Sequence, residues 1–291
     1  MKLFSGPRLL PAHAVPPGAL NELLLANQVA SVFVAEHVAR FRAVSLDQPP
    51  PVVGITRSST AGSGRRSLGV ELDGACWVGN NVVPVALGQE GIALVAHYLV
   101  TSRATRTSFF GPQREVLGLW HRLEHQWADP FAVREDQPLL TAKAESEYAP
   151  HPEVRLARSE DFADVLPASA QMFAEEVGYA PDLRQGSSYV RRVAQLIDQC
   201  RTYVVVRDSA VVFKADIGAA AGKVCQIQGV WIAPELRGQR LSSPFLAAVV
   251  ESVRRRWPMV SLYVNSYNVP ALRSYHRVGF RQVGTFATVL F

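Results

Sequence analysis

Apolar and polar positions change period several times along the chain, and each change marks an element. Between residues 19 and 43, Leu20, Leu23, Leu24, Asn27, Val29 and Phe33 stand at mixed three- and four-residue spacings, followed by Val34, Val38 and Phe41 on roughly one face, which predicts one or two helices. A Pro-, Ser- and Gly-rich stretch over 48–67 predicts a loop; its GSGRRS (62–67) only superficially matches a dinucleotide fingerprint, because Ser67 replaces the third glycine. LGVELDGACWVGNNVVPVAL (68–87) reads as strand pieces broken at Asp73-Gly74 and Gly79-Asn80-Asn81. A helix over 88–100, a strand over 104–111 and a helix over 112–128 follow, with Pro112 near the first turn of the last. His121 and His125 stand four apart on that helix, without a Glu or Cys to complete a metal set, and read as surface histidines.

TAKAESEYAPHP (141–152) is polar and proline-bearing, and a strand VRLAR begins directly after it. The boundary belongs there, giving domains 1–145 and 153–291. In the second, Ser159 is positioned to cap a helix whose apolar face carries Phe162, Val165, Leu166, Phe173 and Val177. A helix over 188–200 then precedes three strands, 201–208, 210–220 and 223–233, joined by turns at Asp208-Ser209 and Ala221-Gly222. The third strand runs into PELRGQRLSS (234–243) and a helix with Leu241, Phe245, Leu246, Val249, Val250 and Val253 on its buried face. After a strand at 260–266, Asn268 is a natural N-cap, Pro270 suits the first turn and Gly279 the C-terminus of a helix that carries Ala271 and Tyr275 on one face. A closing strand or hairpin arm ends the chain.

Composition narrows the classes. At 291 residues the chain is long for one core and suits two; 48% hydrophobic and 19% charged residues describe a globular protein. The net charge of +5 falls short of the dense basic patch that a nucleic-acid binder shows. Residues 1–150 carry 13 Lys and Arg against 13 Asp and Glu, so the whole excess is C-terminal, and an anion is expected there. Three cysteines, Cys76, Cys200 and Cys225, suit neither a disulfide framework nor a zinc knuckle, and no 18-residue apolar run or signal segment is present. These features predict a cytoplasmic location, no metal and no membrane partner, and leave the oligomeric state open.

The loop at 234–243 carries the chemistry. Amides from Gly238 to Ser243 at the start of a helix form an anion site suited to phosphate. It is not a P-loop, since no Gly-Lys-Ser/Thr follows, and Arg240 stands where such loops usually place glycine. In a helical φ, Arg240 would still donate its amide, and its guanidinium could add a charged bond to a pyrophosphate.

Pro234-x-x-Arg237-Gly238-x-x-x-Ser242 and Asn268-x-x-Ala271-x-x-x-Tyr275-x-x-x-Gly279-Phe280 together resemble the acyl-CoA loop and the following helix of the GCN5-related N-acetyltransferases, over about residues 154–291. The N-terminal half is similar to a poorly characterised domain that precedes this one in some actinobacterial members, with GACWVGNN as the shared stretch. The resemblance implies an α/β (α+β) fold of tandem acetyltransferase-like domains, the first degenerate, each a mixed, mostly antiparallel twisted sheet flanked by helices. It implies acetyl-CoA or another short acyl-CoA as cosubstrate, held by Val230, Trp231, Ile232, Arg237, Gly238, Gln239, Arg240, Leu241, Ser242, Ser243, Asn268 and Tyr275. An amine would attack the thioester directly in a ternary complex, with Tyr275 as general acid to the thiolate. The acceptor could be a small molecule, a peptide or protein N-terminus, or a lysine. Glu175 and Glu176 are candidate bases, with Lys214 and Asp216 also in reach, since the strand itself offers only Gln226 and Gln228. The alternative is an acyl-CoA-binding sensor or interaction module without turnover.

Overall fold

The computed structural model describes residues 6–45, 47–56, 70–102, 104–142 and 146–291. GSGRRS and residues 143–145 of the expected domain boundary lie outside the described residues. The chain divides into two compact units, 1–139 with 284–291, and 140–283.

The first unit contains β1 (Arg8–Leu10), α1 (Pro17–Ala26), α2 (Val32–Val44), β2 (Val52–Thr56), β3 (Gly74–Val78), β4 (Asn81–Val85), α3 (Gln89–Ser102), β5 (Ser108–Pro112), α4 (Gln113–Leu123) and the start of β6 (Ala132–Ala142). The helical period over 19–43 thus resolves into two helices. The strand pieces around Gly79-Asn80 form a hairpin, with Trp77 opposite Val83. α4 stops at Leu123, so His125 leaves the helix on which its spacing placed it and lies 3.8 Å from Glu124 instead.

The second unit repeats that order of elements: β7 (Arg155–Leu156), α5 (Phe162–Val177), α6 (Ser188–Asp198), β8 (Thr202–Arg207), β9 (Ala210–Ala221), β10 (Val224–Ile232), α7 (Ser242–Arg254), β11 (Met259–Tyr263), α8 (Val269–Arg277) and the start of β12 (Phe280–Leu290), whose end returns to the first unit. Within each unit the strands are mostly antiparallel, with helices packed against them. The sheet of the first runs β1-β2-β3-β4-β5-β12-β6 and that of the second β6-β11-β10-β9-β8-β7. The strand beside β5 is therefore the last of the chain, Phe286–Leu290 against Ser108–Pro112.

Local rules explain most element ends. Ser187 caps α6 through Oγ, which accepts the Val190 N–H at 3.2 Å, and Gly178 ends α5 with φ +94°. Ser159 does not cap α5. Residues 159–161 form a 3-10 turn, and Asp161 takes the polar role, accepting the Arg158 N–H at 2.7 Å and both Arg155 guanidinium nitrogens at 2.6 and 2.7 Å. Phe213, Phe245, Leu246, Val260 and Phe280 centre the core of the second unit, and each such side chain removed from water contributes about 1.5–3 kcal/mol. Among the described residues no helix is long and apolar enough to cross a membrane.

Candidate functional site

β10 and β11 are parallel neighbours for three residues only, Val224–Met259, Cys225–Val260 and Gln226–Ser261. Beyond Gln226, β10 continues to Ile232 with its other edge paired to β9. Among the described residues, no strand pairs with the edge that faced β11 over the stretch that holds Val230, Trp231 and Ile232. The β9 register also slips there: Gln228 opposes Asp216 and Trp231 opposes Lys214, leaving Gly229 and Val230 as a bulge against one residue. Gly229 has φ +57°, in the left-handed region where glycine is favoured.

The open edge leads into a 3-10 turn at Pro234–Leu236 and then into the loop. Gly238 and Arg240 both have positive φ, +79° and +62°. The helical φ expected for Arg240 is therefore corrected. The chain makes two left-handed turns before α7, and Arg240 carries the strain of a side chain in a region that costs an L-residue about 1–2 kcal/mol. α7 starts without a side-chain cap, its N-cap being Leu241. Among the described residues, the amides of Gly238, Arg240, Leu241, Ser242 and Ser243 have no protein acceptor. They lie at the positive end of a 13-residue helix, an arrangement that suits an anion. Pro244 removes one surplus donor in the first turn.

The loop residues Arg237, Gly238, Gln239 and Arg240 are exposed. Arg237 is anchored: its Nε donates to the Ile232 carbonyl at 3.1 Å and its guanidinium meets Glu175 at 2.7 Å. Gln239 donates to the Glu235 carbonyl at 2.8 Å. Ser242 Oγ meets Ser274 Oγ at 2.9 Å, joining the start of α7 to α8.

α8 begins where the sequence places it. Asn268 Oδ1 accepts the Ala271 N–H at 3.2 Å, and Gly279 lies just beyond the helix with φ +94°. Tyr275 is buried, its ring 5.9 Å from that of Phe280. Burial, reinforced by the charge of Glu176, holds its pKa well above the usual phenol value. Two other tyrosines packed in this unit spend their hydroxyls on protein: Tyr189 donates to the Ser169 carbonyl at 2.6 Å and Tyr203 meets Ser252 Oγ at 3.1 Å. The Tyr275 hydroxyl has no such partner among the described residues.

Glu175 and Glu176 are both exposed on α5. Glu175 is engaged by Arg237 and by Gln171 at 3.2 Å, which draws it to the loop. The Glu176 carboxylate acts electrostatically on Tyr275 and on Tyr189. Lys214 and Asp216 are buried as an ion pair at 2.6 Å beneath the bulge.

The first unit has the corresponding parallel pair but a different occupant. β4 and β5 match only at Asn81–Ser108 and Val82–Phe109, beyond which the Pro84 ring packs on Gly111. In the same unit the α4 carboxylate of Glu115 is buried, its Oε2 without a hydrogen-bond partner among the described residues, and burial pushes its pKa up to about 7.

Residues 172–280 match the model of the acetyltransferase (GNAT) family, and residues 64–165 that of a domain of unknown function, DUF4081. A mycothiol acetyltransferase from Brachybacterium faecium is 30% identical over 146 residues, which are 47% of this chain and 44% of that relative. A GNAT-family acetyltransferase from Colwellia psychrerythraea superposes with TM-score 0.54 at 13% identity, covering 98% of this chain and 99% of that one. A GCN5-related N-acetyltransferase from Sphaerobacter thermophilus gives 0.55 at 15% identity, covering 97% and 94%. At these identities the two structures speak for the fold alone.

Proposed function

From a chain whose residues 172–280 form a GNAT acetyltransferase-family domain behind an N-terminal DUF4081 domain, we propose an acyl-CoA-dependent N-acetyltransferase whose active site is the open edge of β10. The observation that carries this reading is the continuity of that edge with the unpartnered amides of the 238–243 loop. An extended chain with amides and a pyrophosphate, which is what acyl-CoA offers, matches strand addition at one end and a helix N-terminus at the other.

In this reading Gly238, Arg240, Leu241, Ser242 and Ser243 bind the pyrophosphate, and the Val230–Ile232 backbone pairs with the pantetheine amides. Arg237 shapes the loop from below, through its bond to the Ile232 carbonyl. Asn268 holds the start of α8, so that Tyr275 is presented to the sulfur. A neutral amine attacks the thioester carbonyl and a C–N bond forms. The carbonyl oxygen takes up charge and accepts a β10 amide hydrogen bond. As the C–S bond breaks, Tyr275 donates its proton to the departing sulfur. Glu176, whose charge acts on Tyr275, is the candidate to take the amine proton. An α-amine with pKa about 8 needs little help from it. The similarity to a mycothiol acetyltransferase favours a small-molecule amine over a protein lysine.

Calorimetric titration with acetyl-CoA, paired with thiol release over a panel of amines, tests the reading. Binding with release is expected. Binding without release on every amine would favour a sensor, and no binding would remove both.

The left-handed Arg240 gives a second test in which two effects have opposite sign. Arg240→Gly is expected to stabilise the free protein by about 0.5–1 kcal/mol, the relief of strain less the entropy that glycine loses on folding. It should also weaken acetyl-CoA binding by about 3–10-fold through loss of a charge-assisted bond. Denaturant titration and calorimetry read the two; tighter binding in the variant would make the side chain an obstruction.

A further inference from the structure

Lys214 and Asp216 are 1% and 6% exposed, and their charged ends meet at 2.6 Å. Two charges leave water at a cost of several kcal/mol each, offset only where the remaining protons and lone pairs find partners. Asp216 uses its second oxygen on Thr202 Oγ1 at 2.9 Å. Among the described residues Lys214 has one further oxygen partner, the carbonyl of Gly229 at 3.3 Å, with Met172 Sδ at 3.7 Å beside it. The bulge is moulded onto this pair. A Cβ at residue 229 would stand 3.0 Å from Asp216 Oδ2, 3.0 Å from Met172 Sδ and 3.2 Å from Lys214 Nζ.

A trans peptide is planar, so the C=O of Gly229 and the N–H of Val230 point in opposite directions. A cation that fixes the carbonyl also fixes the amide, aiming it away from Lys214. Val230 has no partner in the β9 register to do this instead.

We propose that Lys214 is a positioning residue: by holding the Gly229 carbonyl it orients the Val230 N–H as the hydrogen-bond donor to the thioester carbonyl oxygen of bound acyl-CoA. This role rests on the acyltransfer reading above. The ammonium also polarises the peptide it grips, so that the amide is a stronger donor as charge develops on the substrate oxygen. Asp216 and Thr202 keep Lys214 in place and touch no reacting atom.

The test uses the full chain and two double variants that carry no unpaired buried charge. Lys214→Met with Asp216→Asn removes the grip on Gly229, whereas Lys214→Gln with Asp216→Asn keeps an N–H donor on the same strand face, on a side chain one atom shorter than the lysine whose nitrogen lies 3.3 Å from the carbonyl. In wild-type protein labelled with nitrogen-15, the Val230 amide proton is expected to move downfield with acetyl-CoA but not with CoA. The Met variant should lose that difference and about 10–100-fold in kcat, with the KM for acetyl-CoA within about 3-fold. The Gln variant should recover most of both. A Met variant that keeps the shift and kcat overturns the inference, as does equal loss in a folded Gln variant. If the Met variant does not fold, the Gln variant decides alone. Wild-type protein that releases thiol without the Val230 shift overturns only the role of Lys214. Wild-type protein that neither binds acetyl-CoA nor releases thiol overturns the acyltransfer reading and this role with it.

Discussion

Tyr275→Phe is expected to lower kcat by about 100-fold or more while leaving acetyl-CoA affinity within about 3-fold. The hydroxyl makes no bond in the free protein among the described residues, so its removal costs the fold little, and the ring keeps its packing on Phe280 at 5.9 Å. A tyrosine retained only for packing would lose nothing in either measurement. Burial and the nearby Glu176 raise the phenol above its usual value of about 10, so the group stays protonated through the neutral and mildly alkaline range. A thiolate with a conjugate acid near 8.5 is the weaker base, so the phenol acts by hydrogen bonding to sulfur as the C–S bond stretches, with the proton following late. The wild-type rate should therefore show no alkaline decline from Tyr275 below about pH 10. Single-turnover thiol release, with calorimetry for binding, separates the two readouts; unchanged kcat in the Phe variant would remove Tyr275 from the chemistry.

Elements governed by local rules were legible in the sequence. Asn268, Pro270 and Gly279 predict α8 almost to the residue, and Asp208-Ser209 and Ala221-Gly222 predict the two turns of the meander. Features decided by partners far along the chain were not. The left-handed Arg240 has no local signal, because arginine usually enters helices and only the path from β10 into α7 demands the turn. The closing strand at 280–290 could be read as a strand, but its place beside β5 depends on a register more than 150 residues away. Ser159 met every local requirement for a cap and lost the place because Arg155 draws Asp161 into the turn. Lys214 and Asp216 were visible as a charged pair two apart on one strand face. Their connection to Gly229 was not, since it arises from a bulge that the β9–β10 pairing creates.

That buried pair sets the largest expected effect on stability. Asp216→Ala leaves the Lys214 ammonium in a site with 1% exposure and no counter-charge at 2.6 Å, which should lower the unfolding free energy by about 3–5 kcal/mol. For a unit of this size that corresponds to a melting temperature lower by roughly 10 °C. Replacing both partners is a different experiment. Lys214→Met with Asp216→Asn removes both desolvation costs and keeps an oxygen for Thr202 Oγ1, whose bond to Asp216 is 2.9 Å long. It should return stability to within about 1–2 kcal/mol of wild type. If the pair served only to hold the sheet together, recovery of stability would bring recovery of kcat. If Lys214 aims the Val230 amide, the double variant will be stable and slow. Thermal unfolding followed on the single and double variants, with kcat measured on the folded double variant, makes that separation, and a single variant as stable as wild type would show that the ammonium finds water or another partner when Asp216 is gone.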